Sequence, residues 1–304
     1  MPTNGTSLVL CRNEIKATPT DKSGDAIVLQ ALQHVTGRIE QEKDCEFAPR
    51  IATVLYDAYG NHIDDLYSTI DLNRPLLVPQ TVIDGAGTTL TLWNGQAGTR
   101  ATSDYYPYPL NIWPYWKLRL LSTSAAGAIG WSKYTTDWVD AISIAGIWGY
   151  HSRYDEAWLS SGDTVQNNPL SSSATTLTVA NTEGVDALNR APRFSPNQLL
   201  RIESEYIEVL EVVSATSLTV RRGQRGSTAA SHNQNTVIDL WQPDPLIERA
   251  TLRWVSYLYD RRGEFTTSRV DGLTGATINF PPDVPEEVRG ILDQISVYQG
   301  WHTA

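Results

Sequence analysis

The sequence predicts an α+β fold in which helices near both ends of the chain form a small helical bundle and large antiparallel β insertions lie between them. Apolar residues recur every three to four positions over residues 24–42, 245–262 and 285–298, as they do in amphipathic helices. Residues 51–158 and 170–241 instead alternate with a period of two, which is typical of strands. Glycine-containing turn signals separate these strand-like runs, so we expect antiparallel hairpins.

The first predicted helix covers residues 24–42. It carries a single apolar stripe, and Pro49 lies beyond its end, where proline cannot continue a helix. The residues of this stripe are Ile27, Val28, Ala31, Leu32, Val35 and Ile39. We therefore expect the helix to bury one face against the C-terminal helices.

Residues 51–166 form the first predicted β region, which includes long loops. Its strand-like runs cover residues 51–56, 88–93, 118–120, 141–144 and 146–150. The turn signals between them contain Gly60, Gly85, Gly95 and Gly127.

Residues 167–242 are predicted to form an inserted small β module, either a barrel or a sandwich. Its predicted strands cover residues 174–179, 199–202, 206–213, 217–220 and 236–240. Asn167-Asn168-Pro169 marks the start of the module and Gln242-Pro243-Asp244-Pro245 marks its end. This division leaves residues 1–50 and 243–304 as the helical core.

Helical signals return after the β module. Asp244 is a suitable N-cap and Pro245 occupies the first helical position, which proline favours. The apolar stripe of this helix is Ile247, Ala250, Thr251, Trp254 and Leu258. A last helix follows Asp283, and its stripe is Val288, Ile291, Leu292 and Ile295.

Composition excludes several classes of protein. The 304-residue chain carries 24 Lys and Arg against 34 Asp and Glu, a net charge of −10. Phosphate binding needs a basic surface, so this charge disfavours a protein that wraps nucleic acid. The same charge is compatible with an acidic passage through which DNA slides.

Cys11 and Cys45 are too few for a disulfide scaffold. Neither a membrane span nor a signal peptide is expected, so we expect synthesis in the cytoplasm. The 10 Trp and 14 Tyr fit a β-rich domain, a large subunit interface, or both.

The sequence gives little support for catalysis. Its five histidines are isolated, and no His or Cys pair has metal-binding spacing. Glu203, Glu205 and Glu208 are expected on the solvated face of a hairpin. We therefore predict no enzymatic activity, no catalytic or metal site and no cofactor.

Two segments have alternative interpretations. Gly223-Gln224-Arg225-Gly226 is expected to be a β-turn with Arg221, Arg222 and Arg225 in solvent, and the alternative is a contact with nucleic acid or an acidic partner. Residues 105–109 and 113–116 are rich in Tyr, Trp and Pro. They are expected to form an extended arm or interface loop, and the alternative is a surface for sugar stacking.

Six segments, taken in their order along the chain, carry a resemblance to a known protein family. They cover residues 25–50, 71–77, 144–151, 157–165, 250–262 and 280–288. With them the chain resembles the head–tail connector (adaptor) proteins of tailed double-stranded DNA bacteriophages, in a long form with inserted β domains. Residues 200–207 and 218–223 are similar to small β domains that are common in phage structural proteins. Short members of the family are mainly helical, so the large β portion departs from them.

The resemblance implies a structural virion protein without catalysis. Such a protein forms a homo-oligomeric ring under the portal vertex, and the ring is usually a dodecamer. The ring joins the portal protein to the tail terminator, stopper or another neck protein, and DNA passes through its lumen without sequence-specific binding. The protein would be made in the host cytoplasm and would end in the neck of the virion, between head and tail. The alternatives are another phage neck, tail or baseplate protein and, less favoured, a carbohydrate-binding tail protein.

The candidate contacts with the portal or with a neighbouring subunit lie near the C-terminus. Arg249 and Arg253 are i,i+4 neighbours, and the alternative for them is a solvated helix face with local ion pairs. Trp301 is expected to anchor the segment after the last helix, and the alternative is a frayed terminus. The full set of candidates is Arg249, Arg253, Arg261, Arg262, Tyr298 and Trp301.

Overall fold

The computed structural model describes residues 4–17, 22–60, 62–64, 68–96, 98–122, 130–134, 136–261 and 284–295. It confirms the α+β class, because helices from both ends of the chain pack together and two antiparallel sheets lie between them in sequence. The helices are α1 (Leu8–Glu14), α2 (Asp25–Lys43), α3 (Pro245–Asp260) and α4 (Glu286–Gln294). Within the described residues, no helix is both long enough and apolar enough to span a membrane.

The helical bundle is organised around α3. This helix begins as predicted, with the Asp244 carboxylate accepting the Leu246 amide at 3.0 Å and Pro245 in the first turn. α3 packs against both α2 and α4, and α1 packs against α2 and α3. The buried residues of the predicted stripes are Val28, Leu32, Val35, Ile39, Ile247, Ala250, Thr251, Trp254, Val288, Ile291, Leu292 and Ile295. Ile27 was predicted in the stripe of α2 but is 47% exposed.

The first sheet has seven strands. They are β1 (Arg50–Tyr56), β2 (Ile63–Asp64), β3 (Thr69–Ile83), β4 (Thr89–Leu90), β5 (Tyr105–Tyr108), β6 (Tyr115–Leu120) and β7 (Ile142–Trp148). Their order is β1-β7-β3-β6-β5, with β2 and β4 paired to β3. Arg50 lies opposite Trp148, and Tyr56 opposite Ile142. This order places β1 and β5 at opposite edges of the sheet.

The second sheet has six strands and closes into a small barrel, which is one of the two forms predicted for this module. Its strands are β8 (Trp158–Thr164), β9 (Thr176–Thr178), β10 (Leu199–Ile202), β11 (Glu205–Ser214), β12 (Ser217–Arg221) and β13 (Val237–Trp241), in the order β8-β13-β10-β11-β12-β9. The two ends of this order meet, since the Gln166 amide donates to the Thr178 carbonyl at 2.8 Å. The Asp163 carboxylate also accepts the amides of Ala180 and Asn181, at 3.0 and 2.9 Å.

Three details differ from the sequence prediction. β8 belongs to the barrel although it precedes residue 167, because it pairs with β13 at the far end of the module. Residues 88–93 were expected to form a full strand, but only Thr89–Leu90 pair with β3. α1 was not predicted, because seven residues are too few to display a helical period.

The barrel contacts the rest of the molecule through one small cluster, one loop and the N-terminal segment, where the Leu8 amide donates to the Pro196 carbonyl at 3.2 Å and the Asn197 side chain donates to the Thr6 carbonyl at 2.9 Å. The cluster contains Ala48, Ala157, Leu199, Tyr206 and Trp241, all buried. In the loop after β12, the Arg225 carbonyl accepts the amide of Ile51 in β1 at 2.9 Å. These contacts hold the barrel against the N-terminal segment and against the segment that joins α2 to the first sheet.

Candidate interaction surfaces

Two of the predicted contact residues lie side by side on the outer face of the bundle. The apolar stripe of α3 faces inward, so Arg249 and Arg253 point outward, and their side chains are 62% and 49% exposed. Both arginines meet Glu287 of α4, at 3.4 Å from Arg249 and 3.5 Å from Arg253. Arg253 also pairs with Glu14 of α1 at 3.0 Å. The local ion pairs expected as the alternative are therefore present.

These ion pairs leave the arginines available to a partner. Exposed pairs contribute only about 0.2–1 kcal/mol each, because water screens them and two long side chains must be ordered. An acidic group on another protein can therefore replace Glu287 at small cost. The surface can recognise carboxylates, and it lies where three helices of the bundle meet.

Of the other predicted contact residues, only Arg261 lies within the described residues. Arg261 directly follows α3, and its guanidinium carbon lies 4.5 Å from the centre of the Tyr257 ring. Arg262, Tyr298 and Trp301 lie outside the described residues. The structure therefore brings Arg249 and Arg253 together and places Arg261 at the end of the same helix.

The acidic residues of the β10–β11 hairpin are not a solvated face, contrary to the sequence prediction. Glu205 is fully buried and Glu208 is 8% exposed, while the side chain of Glu203 is 61% exposed. Glu205 lies next to Arg222 and His232, so its charge is compensated inside the barrel. The alternation of strand residues cannot predict this, because both partners come from a loop that follows a later strand.

Five hydrogen bonds converge on the Glu205 carboxylate. Arg222 donates two of them, both at 2.7 Å. The amides of Gly223 and Ala230 donate at 2.9 and 3.1 Å, and Nε2 of His232 lies 2.8 Å away. Burial alone raises the pKa of a carboxyl group, but these donors lower the pKa of Glu205 to about 2.

His232 is not isolated in the fold. Its Nδ1 lies 2.7 Å from the Glu203 carboxylate, and its Nε2 lies 2.8 Å from Glu205. Each ring nitrogen thus has a carboxylate within hydrogen-bonding distance. The cluster therefore links the hairpin to the loop through charge-assisted bonds, and its buried carboxylate is fully occupied.

Arg221 at the end of β12 and Arg222 and Arg225 in the loop after it were expected in solvent, but two of the three are nearly buried. The side chain of Arg222 is 6% exposed and that of Arg225 is 12% exposed, whereas Arg221 is 43% exposed. Arg225 donates to the carbonyls of Pro49 and Ala48 at 2.9 and 3.0 Å, and to the Glu46 carboxylate at 3.0 Å. Burial lowers the pKa of this guanidinium, and Glu46 opposes that effect. Arg222 and Arg225 hold the protein together rather than face nucleic acid.

The Tyr-rich segment forms strand β5 rather than an extended arm. Three rings form an edge-to-face row, with 5.7 Å between the centres of Trp93 and Tyr106 and 6.3 Å between Tyr106 and Tyr108. Arg100 covers the Trp93 ring at 4.9 Å, and Arg119 lies 5.8 Å from the Tyr108 ring. Sugar stacking needs an open ring face, so the covered Trp93 ring fits a protein contact better than a sugar platform.

A groove of about 450 Å³ runs between α1 and the barrel, with Arg12, Asp25 and Phe194 among its lining residues. Among the described residues, no group of three or more His, Cys, Asp or Glu side chains is placed to hold a metal ion. Both cysteines are buried, and burial raises the pKa of the Cys11 thiol to about 12.

No protein-family model matches the chain, and no curated protein matches it significantly. The likeness to phage connectors therefore stays a prediction from the sequence segments.

Proposed function

We propose that this protein is a structural head–tail connector of a tailed double-stranded DNA bacteriophage. It forms a ring of about twelve copies that joins the portal of the head to the tail or stopper, and DNA passes through its lumen. The protein acts in the neck of the virion and performs no catalysis. Its partners are further copies of itself, the portal protein and a tail terminator, stopper or other neck protein.

One observation carries the proposal: α3 packs against both α2 and α4, so the two ends of the chain build one bundle around the β insertions. The connector hypothesis requires this bundle, whereas the tail-fibre hypothesis expects trimers without it. The carbohydrate hypothesis expects an aromatic cleft with two facing carboxylates. Glu203 and Glu205 do face each other, but His232 lies between them and Glu205 is buried.

Charge is consistent with passage of DNA. A net charge of −10 per copy gives a strongly acidic ring. Acidic walls repel the DNA backbone, so DNA slides along them instead of binding.

Electron microscopy of negatively stained protein tests the proposal. The purified chain is imaged alone and mixed with the portal protein from the same genome, with an unrelated portal as the control. We expect closed rings, or an added ring on the matching portal. Monomers that ignore the portal, or trimeric rods, would instead indicate a tail or baseplate component.

A charge reversal tests the arginine surface in the same experiment. Arg249→Glu should weaken joining to the portal or between copies, since it places a carboxylate beside Glu287. Arg153→Glu is the matched control, because Arg153 is also 62% exposed and pairs with Glu156 outside the four helices. If both variants join the portal equally well, the arginine surface is not a contact.

A further inference from the structure

Two exposed apolar surfaces lie on the first sheet, at its opposite edges. The β1 patch is at the end of β1 and on the loop before β7, and consists of Leu55, Asp57, Tyr59, Asp137, Trp138, Val139 and Asp140. The β5 patch is on and beside β5, and consists of Leu92, Trp93, Arg100, Tyr106, Tyr108 and Arg119. The strand order β1-β7-β3-β6-β5 separates the two patches by the width of the sheet.

The β1 patch is a defined surface rather than a loose pair of loops. The Ala58 amide donates to the Trp138 carbonyl at 2.7 Å, and the Asp140 amide donates to the Asp57 carboxylate at 2.9 Å. Tyr59 and Trp138 are 63% and 40% exposed, and their ring centres are 6.2 Å apart. Large aromatic side chains at this exposure are enriched in protein interfaces.

Beyond Ile51, whose backbone the loop after β12 covers, the outer edge of β1 is also open to a partner strand. In the described residues, β1 pairs with one strand only, β7. The Ile51 amide points away from β7, because it donates to the Arg225 carbonyl. Since an antiparallel strand alternates, the backbones of Thr53 and Leu55 point the same way. Leu55 is 50% exposed there. Such an edge accepts another chain unless it is covered.

The charges of the two patches are opposite. The apolar residues of the β1 patch are flanked by Asp57, Asp137 and Asp140, and the rings of the β5 patch are flanked by Arg100 and Arg119. Contact between two β1 patches would place aspartates against aspartates, and contact between two β5 patches would place arginines against arginines. Asp104, which precedes β5 and accepts the Thr91 amide, adds one acidic group beside the β5 patch, but the arginines outnumber it. Contact between unlike patches therefore best brings opposite charges together.

We propose that the β1 patch of one copy binds the β5 patch of a second copy of this chain. This contact uses different surfaces on the two partners, so it is heterologous and repeats from copy to copy until a ring closes. Trp138 and Tyr59 of one copy meet Tyr108 and Leu92 of the next. This inference rests on the proposed function in one respect, because both require copies of the chain to associate. The contact would explain that association.

Charge reversal on each patch tests this contact with the full chain. Asp137→Arg and Arg100→Asp should each weaken self-association at least tenfold, as measured by sedimentation velocity at low salt or by ring formation on the portal. The double variant carrying both changes should recover most of the loss. Glu211→Arg makes the same change on an exposed position of the barrel and should have no effect.

The outcomes separate this inference from the proposed function. If rings form and both single variants form them as well as the wild type does, the patches are not the contact, while the connector function stands. If the wild type does not self-associate, alone or on the portal, the proposed function and this inference both fail. If both single variants lose self-association and the double variant does not recover it, the pairing of these two patches is also overturned.

Discussion

At the scale of single residues, Glu205 joins parts of the barrel that are distant in sequence. Its carboxylate connects the start of β11 to Arg222, to the amides of the following loop and to His232. The residue is fully buried, so its charge depends on these donors. Glu203 binds the same histidine from the outside, with its side chain 61% exposed. The two glutamates therefore offer a matched comparison of one buried and one exposed acid.

Glu205→Gln is expected to destabilise the protein by about 3–5 kcal/mol, because it leaves the buried Arg222 without its charged partner. Glu203→Gln should cost less than about 1 kcal/mol, since the Glu203 side chain is 61% exposed. Urea unfolding of both variants measures the difference. Equal losses would mean that the buried pair contributes no more than the exposed one.

The pH dependence of the free energy of unfolding provides a second test of Glu205→Gln. The pKa of Glu205 is lowered from 4.5 to about 2 in the folded protein, so the folded state binds fewer protons than the unfolded state between these values. The resulting stability, about 3 kcal/mol, is present above pH 4.5 and is lost as the pH falls toward 2. The stability difference between wild type and Glu205→Gln should therefore shrink over this range. A difference that is constant with pH would contradict the role assigned to the carboxylate.

At the scale of elements, local periodicity in the sequence predicts the central and last helices but not the ion pairs that join distant parts. The stripes of α3 and α4 could be identified because apolar residues recur at helical spacing, and Asp244 and Pro245 mark the start of α3 by known capping preferences. The ion pairs of Arg222 and Arg225 could not be identified. Their partners are set by how the barrel closes and where it contacts β1, and no local pattern records that.

Trp254 tests the packing of the central helix. It is 2% exposed and belongs to the core shared by α2, α3 and α4. Trp254→Ala should cost about 3–5 kcal/mol, because it leaves a large cavity between the helices. Arg249→Ala on the same helix removes an exposed ion pair and should cost less than about 1 kcal/mol. A loss for Trp254→Ala under about 1 kcal/mol in denaturant unfolding would place the indole outside the core.

At the scale of the whole molecule, the barrel has its own buried core and contacts the other parts through a small cluster, the loop after β12 and the N-terminal segment. One of these contacts is tight. A Cβ on Gly226 would lie 2.0 Å from the Ile51 carbonyl oxygen, so only glycine allows the loop to approach β1 this closely. The neighbouring Arg225 depends on the same approach, because it donates to backbone carbonyls just before β1.

Gly226→Ala should therefore detach the barrel from the first sheet, and calorimetry should show its unfolding as two transitions in place of one. The control is Gly87→Ala. Gly226 and Gly87 have nearly the same φ, +82° and +81°, but nothing lies within 4 Å of a Cβ on Gly87. Both substitutions carry the left-handed backbone cost of roughly 1–2 kcal/mol, so any further loss in Gly226→Ala measures the contact with Ile51. If the two variants lose the same stability and each unfolds in a single transition, the barrel is held by the cluster around Trp241 and by the N-terminal segment, and not by this loop.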